Sequence, residues 1–169
     1  MKTINISVPR TDIAAEIAKW AHTIGENIDD QHPKQRHFVQ GAADKGHIDV
    51  LMDTADDAWS DFLQIVAAYT TPRCQCGCNQ PDGDGQQATD GYSVTLYLPD
   101  NTYPNTGQNV QRLARRLVTL RARAEWERLT MRDPAQSDAA AELAARRIKA
   151  EISIRTTQQK TASNWFYGS

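Results

Sequence analysis

Residues 48–69 read Ile48-Asp-Val-Leu-Met-Asp-Thr-Ala-Asp-Asp-Ala-Trp-Ser-Asp-Phe-Leu-Gln-Ile-Val-Ala-Ala-Tyr69. Ile48, Leu51, Met52, Ala55, Trp59, Phe62, Leu63, Val66 and Tyr69 recur at spacings of three and four, the period of a helix with one apolar face. Six turns of unbroken pattern make this the clearest element in the chain and set a helical fold class. The opposite face carries Asp49, Asp53, Asp56, Asp57 and Asp61 with few cations among them. Aspartate is a mediocre helix former, and like charges one turn apart repel, so this stripe costs stability that packing must offset. It reads either as a solvated acidic face or as a docking surface for a basic partner.

On the N-terminal side, Ile4, Ile6 and Val8 alternate with Thr3, Asn5 and Ser7, the period of a strand with one buried face, and Pro9 ends it. Thr11 or Asp12 then caps a helix whose apolar positions are Ile13, Ile17, Trp20 or Ala21, Ile24 and Ile28. From Asp29 to Gly46 the chain is polar and broken by Pro33 and Gly41; Phe38-Val39 is its expected anchor to the core.

On the C-terminal side, residues 73–91 form a turn-rich loop holding Cys74, Cys76 and Cys78 and three Asp-Gly steps. Tyr92 to Leu98 alternates again and predicts a second strand, paired with residues 2–8 because a lone strand leaves its backbone unsatisfied. Glu151 to Arg155 is a possible third member. Val110, Leu113, Leu117, Leu120, Ala124 and Leu129 mark a helix over 108–132, capped by Asn105 or Thr106. Arg112, Arg115, Arg116, Arg121, Arg123, Arg128 and Arg132 make it strongly basic. After Asp133-Pro134, Ala135 to Ile152 is an alanine-rich helix with Leu143 and Ile148 on a narrow apolar stripe. The expected fold is α+β, mainly α: a four-helix core with a small two- or three-stranded antiparallel sheet, one domain over 1–155, and an extended C-terminal arm over 156–169.

Charge divides by position. Residues 1–100 hold seven Lys/Arg against fifteen Asp/Glu, whereas residues 101–169 hold twelve against six, so a total of −2 conceals two poles of opposite sign. Such a division suits contact within one fold, between subunits, or with a polyanion. No apolar run approaches the roughly 18 residues of a membrane span, and the N-terminus lacks the apolar stretch of a signal peptide. With three cysteines crowded into five residues, a long-range disulfide framework is excluded and a reducing compartment fits.

Chemical signatures are sparse. Cys74, Cys76 and Cys78 offer thiolates to zinc, with His37 or His47 to complete the shell, but spacing of one residue and the lack of a second pair disfavour it. Asp82-Gly-Asp-Gly85 begins like a calcium loop but lacks a glycine at the sixth position and a glutamate at the twelfth. None of the four histidines, His22, His32, His37 and His47, stands in a nucleophile motif, and no nucleotide-binding glycine pattern occurs. The expectation is a non-enzyme without cofactor. The arginine helix could meet nucleic-acid phosphates, yet the negative net charge and the absence of aromatics between the arginines argue against specific binding.

The terminal segment ends Trp165-Phe-Tyr-Gly-Ser169 after a polar stretch from Arg155 to Asn164. Three adjacent large aromatics on a polar tether suit an anchor, either on the chain's own domain or on a neighbour. Opposite poles plus such an arm suit a subunit joined head to tail, with Asp53, Asp57 and Asp61 of one copy facing Arg116, Arg123 and Arg128 of the next and Trp165, Phe166 and Tyr167 locking the contact.

On the helices Asp49–Tyr69, Val110–Arg132 and Ala135–Ile152 and the arm over 156–169, the chain resembles tailed-phage head–tail connector and neck proteins. The resemblance is architectural and implies a homo-oligomeric ring in the virion, assembled in the host cytoplasm, that contacts portal or tail components. The cysteine segment matches nothing in that pattern.

Overall fold

The computed structural model describes residues 1–26, 40–41, 45–70 and 91–154. Phe38-Val39, the cysteine segment, His32, His37, and the aromatic arm with Trp165, Phe166 and Tyr167 lie outside the described residues.

Strand β1 (Lys2–Pro9) runs directly into helix α1 (Arg10–Glu26). Helix α2 (Lys45–Val66) closes with a short 3-10 turn over Ala67–Tyr69. Strand β2 (Gly91–Leu98), helix α3 (Thr106–Leu129) and helix α4 (Ala135–Ser153) complete the order. The two strands pair antiparallel in the register Lys2 to Leu98 through Pro9 to Gly91. Because side chains alternate across the pleat, this register sets Ile6 and Val8 beside Val94 and Tyr92 on the face that meets the helices. The opposite face is polar, and there the Thr95 hydroxyl donates to Asn5 Oδ1 at 2.7 Å.

Helix α2 lies on the sheet through its aromatic stripe, with Trp59 stacked on Tyr92 at 5.2 Å between ring centroids and tilted against Phe62 at 4.8 Å. Leu51, Ala55, Phe62 and Val66 are fully buried, as their spacing predicts. Helix α3 is the hub. It packs on α4 most extensively, on α2 next, and on β1 and α1 at its edges. Its first turn presses against the sheet: a Cβ on Gly107 would sit 2.7 Å from Ile4 Cγ2, so any larger residue there would force Ile4 to move. Small Ala114 and Ala122 on α3 and Ala141 and Ala144 on α4 are buried, which lets the two helix backbones come close.

Several local expectations change. Glu151 to Ser153 continue α4 rather than forming a third strand, since Ile152 falls one turn after Ile148 on the same buried face; the sheet has two strands among the described residues. Leu129 is 40% and Leu143 is 47% exposed. The apolar anchors at those places are Trp126, fully buried beside His47, and the alanines of α4. Helix α1 begins at Arg10, ahead of both expected caps. Asn105 occupies the position before α3 but its side chain makes no capping bond, and Thr106 is buried with its hydroxyl unpartnered among the described residues. Asp133, by contrast, accepts the Ala135 N–H at 3.0 Å and opens α4.

Helix α3 ends in a reversed double hydrogen bond, Arg132 N–H to Glu127 O at 2.7 Å and Met131 N–H to Arg128 O at 3.0 Å. This Schellman closure requires a left-handed residue after the helix, and here Met131 takes it at φ 55°. Its side chain is 97% exposed, so it returns nothing in packing for that conformation. Met131→Gly should therefore stabilise the fold by about 1 kcal/mol, read as a rise in thermal midpoint of roughly 2–4 °C; an unchanged or lower midpoint would show the turn to be unstrained.

Candidate functional site

Arg112, Arg115, Arg116, Thr119 and Arg123 recur every three or four residues and so share one face of α3. That face meets α1, and the two helices enclose an open groove of about 440 Å³ whose walls include Glu16, Ile17, Trp20 and Leu120. Toward the sheet it continues into a second hollow of about 380 Å³ that shares Arg112 and Arg115 and adds Asp12, Ser7 and Gln111. The Gln111 amide donates to Ser7 O at 3.1 Å and ties the strand to this end.

The four arginines are not equivalent. Arg115 bridges Asp12, at 3.0 Å, and Glu16, which also accepts the Thr119 hydroxyl at 3.2 Å. Arg123 lies over the Trp20 ring, 4.5 Å from its centroid, while its Nε donates to Glu127 at 3.1 Å. Such a cation over an indole, partly shielded from water, is worth about 0.5–2 kcal/mol. Arg112 and Arg116 are exposed and have no ion pair or hydrogen bond among the described residues. Their guanidinium forks, which suit carboxylates and phosphates, stand available at the groove's lip.

The remaining arginines of α3 face α4 and are neutralised there. Arg121 pairs with Asp138 at 3.3 Å and Glu142 at 2.5 Å, and Arg128 with Asp138 at 2.6 Å and Glu125 at 3.1 Å. The hydrogen bond to Glu125 raises the Arg128 pKa above its usual value. Of the three arginines expected at a subunit contact, the fold therefore leaves Arg116 open, commits Arg123 to Trp20 and Glu127, and turns Arg128 away from the groove toward α4. Arg112 and Trp20 were missed from sequence. The available signal was the ambiguity between Trp20 and Ala21 on α1: Ala21 is buried, which turns Trp20 into the groove, under Arg123.

Asp49, Asp53, Asp57 and Asp61 are exposed along α2 with no cation paired to them among the described residues. Asp56 departs from the predicted stripe. It turns inward, takes an ion pair from Arg10 and accepts the Tyr92 hydroxyl. Arg10 also lies 5.2 Å from the Tyr92 ring centroid. Burial, with the hydrogen bond to Asp56 adding to it, pushes the Tyr92 hydroxyl well above the usual tyrosine range, so it stays protonated. This cluster joins β1–α1, α2 and β2 and serves as a structural clasp.

Among the described residues no three His, Cys, Asp or Glu side chains converge to hold a metal ion. His47 is occupied structurally, 5.0 Å from the Trp126 ring and with Nδ1 3.0 Å from Gly41 O. Cys74, Cys76 and Cys78 lie outside the described residues. No known protein family, curated protein or solved structure matches this chain.

The Tyr92 clasp has a pH signature. Because the folded-state pKa is raised, its contribution is complete below the unfolded tyrosine value of about 10 and is lost as pH climbs beyond it. Urea denaturation should show stability falling above about pH 10 in the parent chain. In Tyr92→Phe, stability should be lower at neutral pH by about 0.5–1.5 kcal/mol and should decline less steeply in alkali; parallel alkaline slopes would exclude Tyr92 as the source.

Proposed function

We propose that this chain is a building block of an oligomeric assembly, a subunit that joins its copies head to tail into a ring, and that the assembly is the head–tail connector or neck of a tailed-phage virion. One observation carries the reading. Two exposed surfaces of opposite sign, the aspartates of α2 and the open arginines Arg112 and Arg116 of α3, lie on different helices and find no partner of opposite charge among the described residues. Surfaces of this kind gain from a second molecule, and distinct complementary patches produce head-to-tail contacts, which form a ring when the rotation between copies closes.

Further support comes from the helical elements that carry the connector resemblance, and from the aromatic terminus Trp165-Phe166-Tyr167, which suits docking on a portal or tail component. No helix of the described residues is long and apolar enough to cross a membrane. The proposed setting is the virion, with assembly in the host cytoplasm. No catalytic role enters this reading.

A nucleic-acid-binding regulator is the second reading, and one feature favours it: the fold brings Trp20 among the arginines, supplying the aromatic that the linear order withholds. Against it, Asp12 and Glu16 stand in the same groove and already neutralise Arg115. A uniformly charged phosphate backbone would meet those carboxylates, whereas a protein surface can place neutral groups opposite them.

Mass measured by light scattering across a salt series separates the readings. Screening shortens from about 10 Å at 0.1 M salt to about 3 Å at 1 M, so the proposed assembly should be multimeric at low salt and shift toward monomer as salt rises, with rings in negative-stain images of the low-salt sample. A monomer at low salt and high concentration would refute it.

A further inference from the structure

Resting on the oligomeric reading above, the geometry points to one specific contact: we infer that the acidic face of α2 in one copy seats in the α1–α3 groove of the next. The groove combines an apolar floor, Ile17, Trp20 and Leu120, with cations at its lip. An occupant must therefore bring carboxylates and some apolar surface together. Helix α2 offers both on one side, because Val50 is 41% exposed beside Asp49 and Asp53.

The lengths agree. At 1.5 Å per residue, Asp49 to Asp61 spans roughly 18 Å and Arg112 to Arg123 roughly 16 Å. The charges agree as well. Asp53 and Asp57 are one turn apart, as are Arg112 and Arg116, so two carboxylates can meet two guanidinium forks in register along parallel rows. Arg128, which the linear order would place in such a contact, is excluded because Glu125 and Asp138 already occupy it. The clustered aspartates also acquire a reason: repulsion of about 0.2–0.5 kcal/mol for each one-turn pair is relieved when cations approach. Donor face and acceptor groove are different patches, so each copy can use both at once and the contact propagates.

Charge exchange on full-length chains tests this. Two variants are made, Arg112→Glu with Arg116→Glu in the groove, and Asp53→Arg with Asp57→Arg on α2; all four positions are exposed, and circular dichroism of each variant checks that it folds. Each variant alone should lose self-association by more than about 100-fold at low ionic strength, since like charges now face each other. An equimolar mixture should reassociate into species larger than either variant alone, because the positive α2 face of one matches the negative groove of the other. A groove variant that keeps the parent mass overturns the contact while leaving the oligomeric reading intact, and failure of the mixture to reassociate overturns the pairing. A parent chain that is monomeric at low ionic strength overturns both. A parent monomer that retains a labelled single-stranded oligonucleotide, with retention lost in the groove variant, overturns them in favour of nucleic acid.

Discussion

The rest of the molecule depends on the burial of α3. Four other elements lean on this one helix, so most of its circumference must be apolar or small, and Val110, Leu113, Leu117, Val118, Ala122 and Trp126 meet that demand. Six arginines share the same element, and a cation cannot enter such a core without a partner. They are therefore confined to the seams where α3 meets a neighbour. At the seam with α4, Asp138 and Glu142 receive them; at the seam with α1, Asp12, Glu16 and Trp20 do. The arrangement lets one strongly basic helix be the centre of a domain whose total charge is slightly negative.

The two seams differ in how closely they approach. Alanines on both α3 and α4 bring those backbones together and leave little space between them, and acids on α4 take up the cations at its edge. Helix α1 meets α3 more sparingly, through Ile17 and Trp20, and the larger side chains hold the helices apart as an open groove. Asp12 and Glu16 on that side are both taken by Arg115, and Arg112 and Arg116 have no ion pair among the described residues. The groove's surplus of positive charge follows from its lining, four arginines against Asp12 and Glu16.

Helix α2 shows the complementary situation. Its inner face is fixed by Trp59, Phe62 and Tyr92 and by the clasp that Asp56 makes with Arg10. Once that face is spent on the core, the remaining aspartates have only the outside to occupy. The sequence sets opposite charges on separate helices and packing turns them to open faces, which is the condition that the head-to-tail reading uses.

The amino-acid order by itself determined the elements: alternation in Ile4-Asn-Ile-Ser-Val8 and Tyr92–Leu98, and the three-four spacing through α2 and α3, follow from backbone geometry that acts over a few residues. It also determined that the two strands must pair and that the exposed side of α2 would be acidic. Only the tertiary structure decided which charges are cancelled. Whether Asp56 faces inward or outward, whether Trp20 or Ala21 takes the core, and whether Arg128 or Arg112 stays open depend on how each helix is turned about its axis and on which neighbours it meets. Those rotations are set by contacts between residues as distant in sequence as Asp12 and Arg115. Local periodicity cannot carry that information, because it fixes a face only to within one neighbouring position on the helix, and a salt bridge is made or lost within that margin.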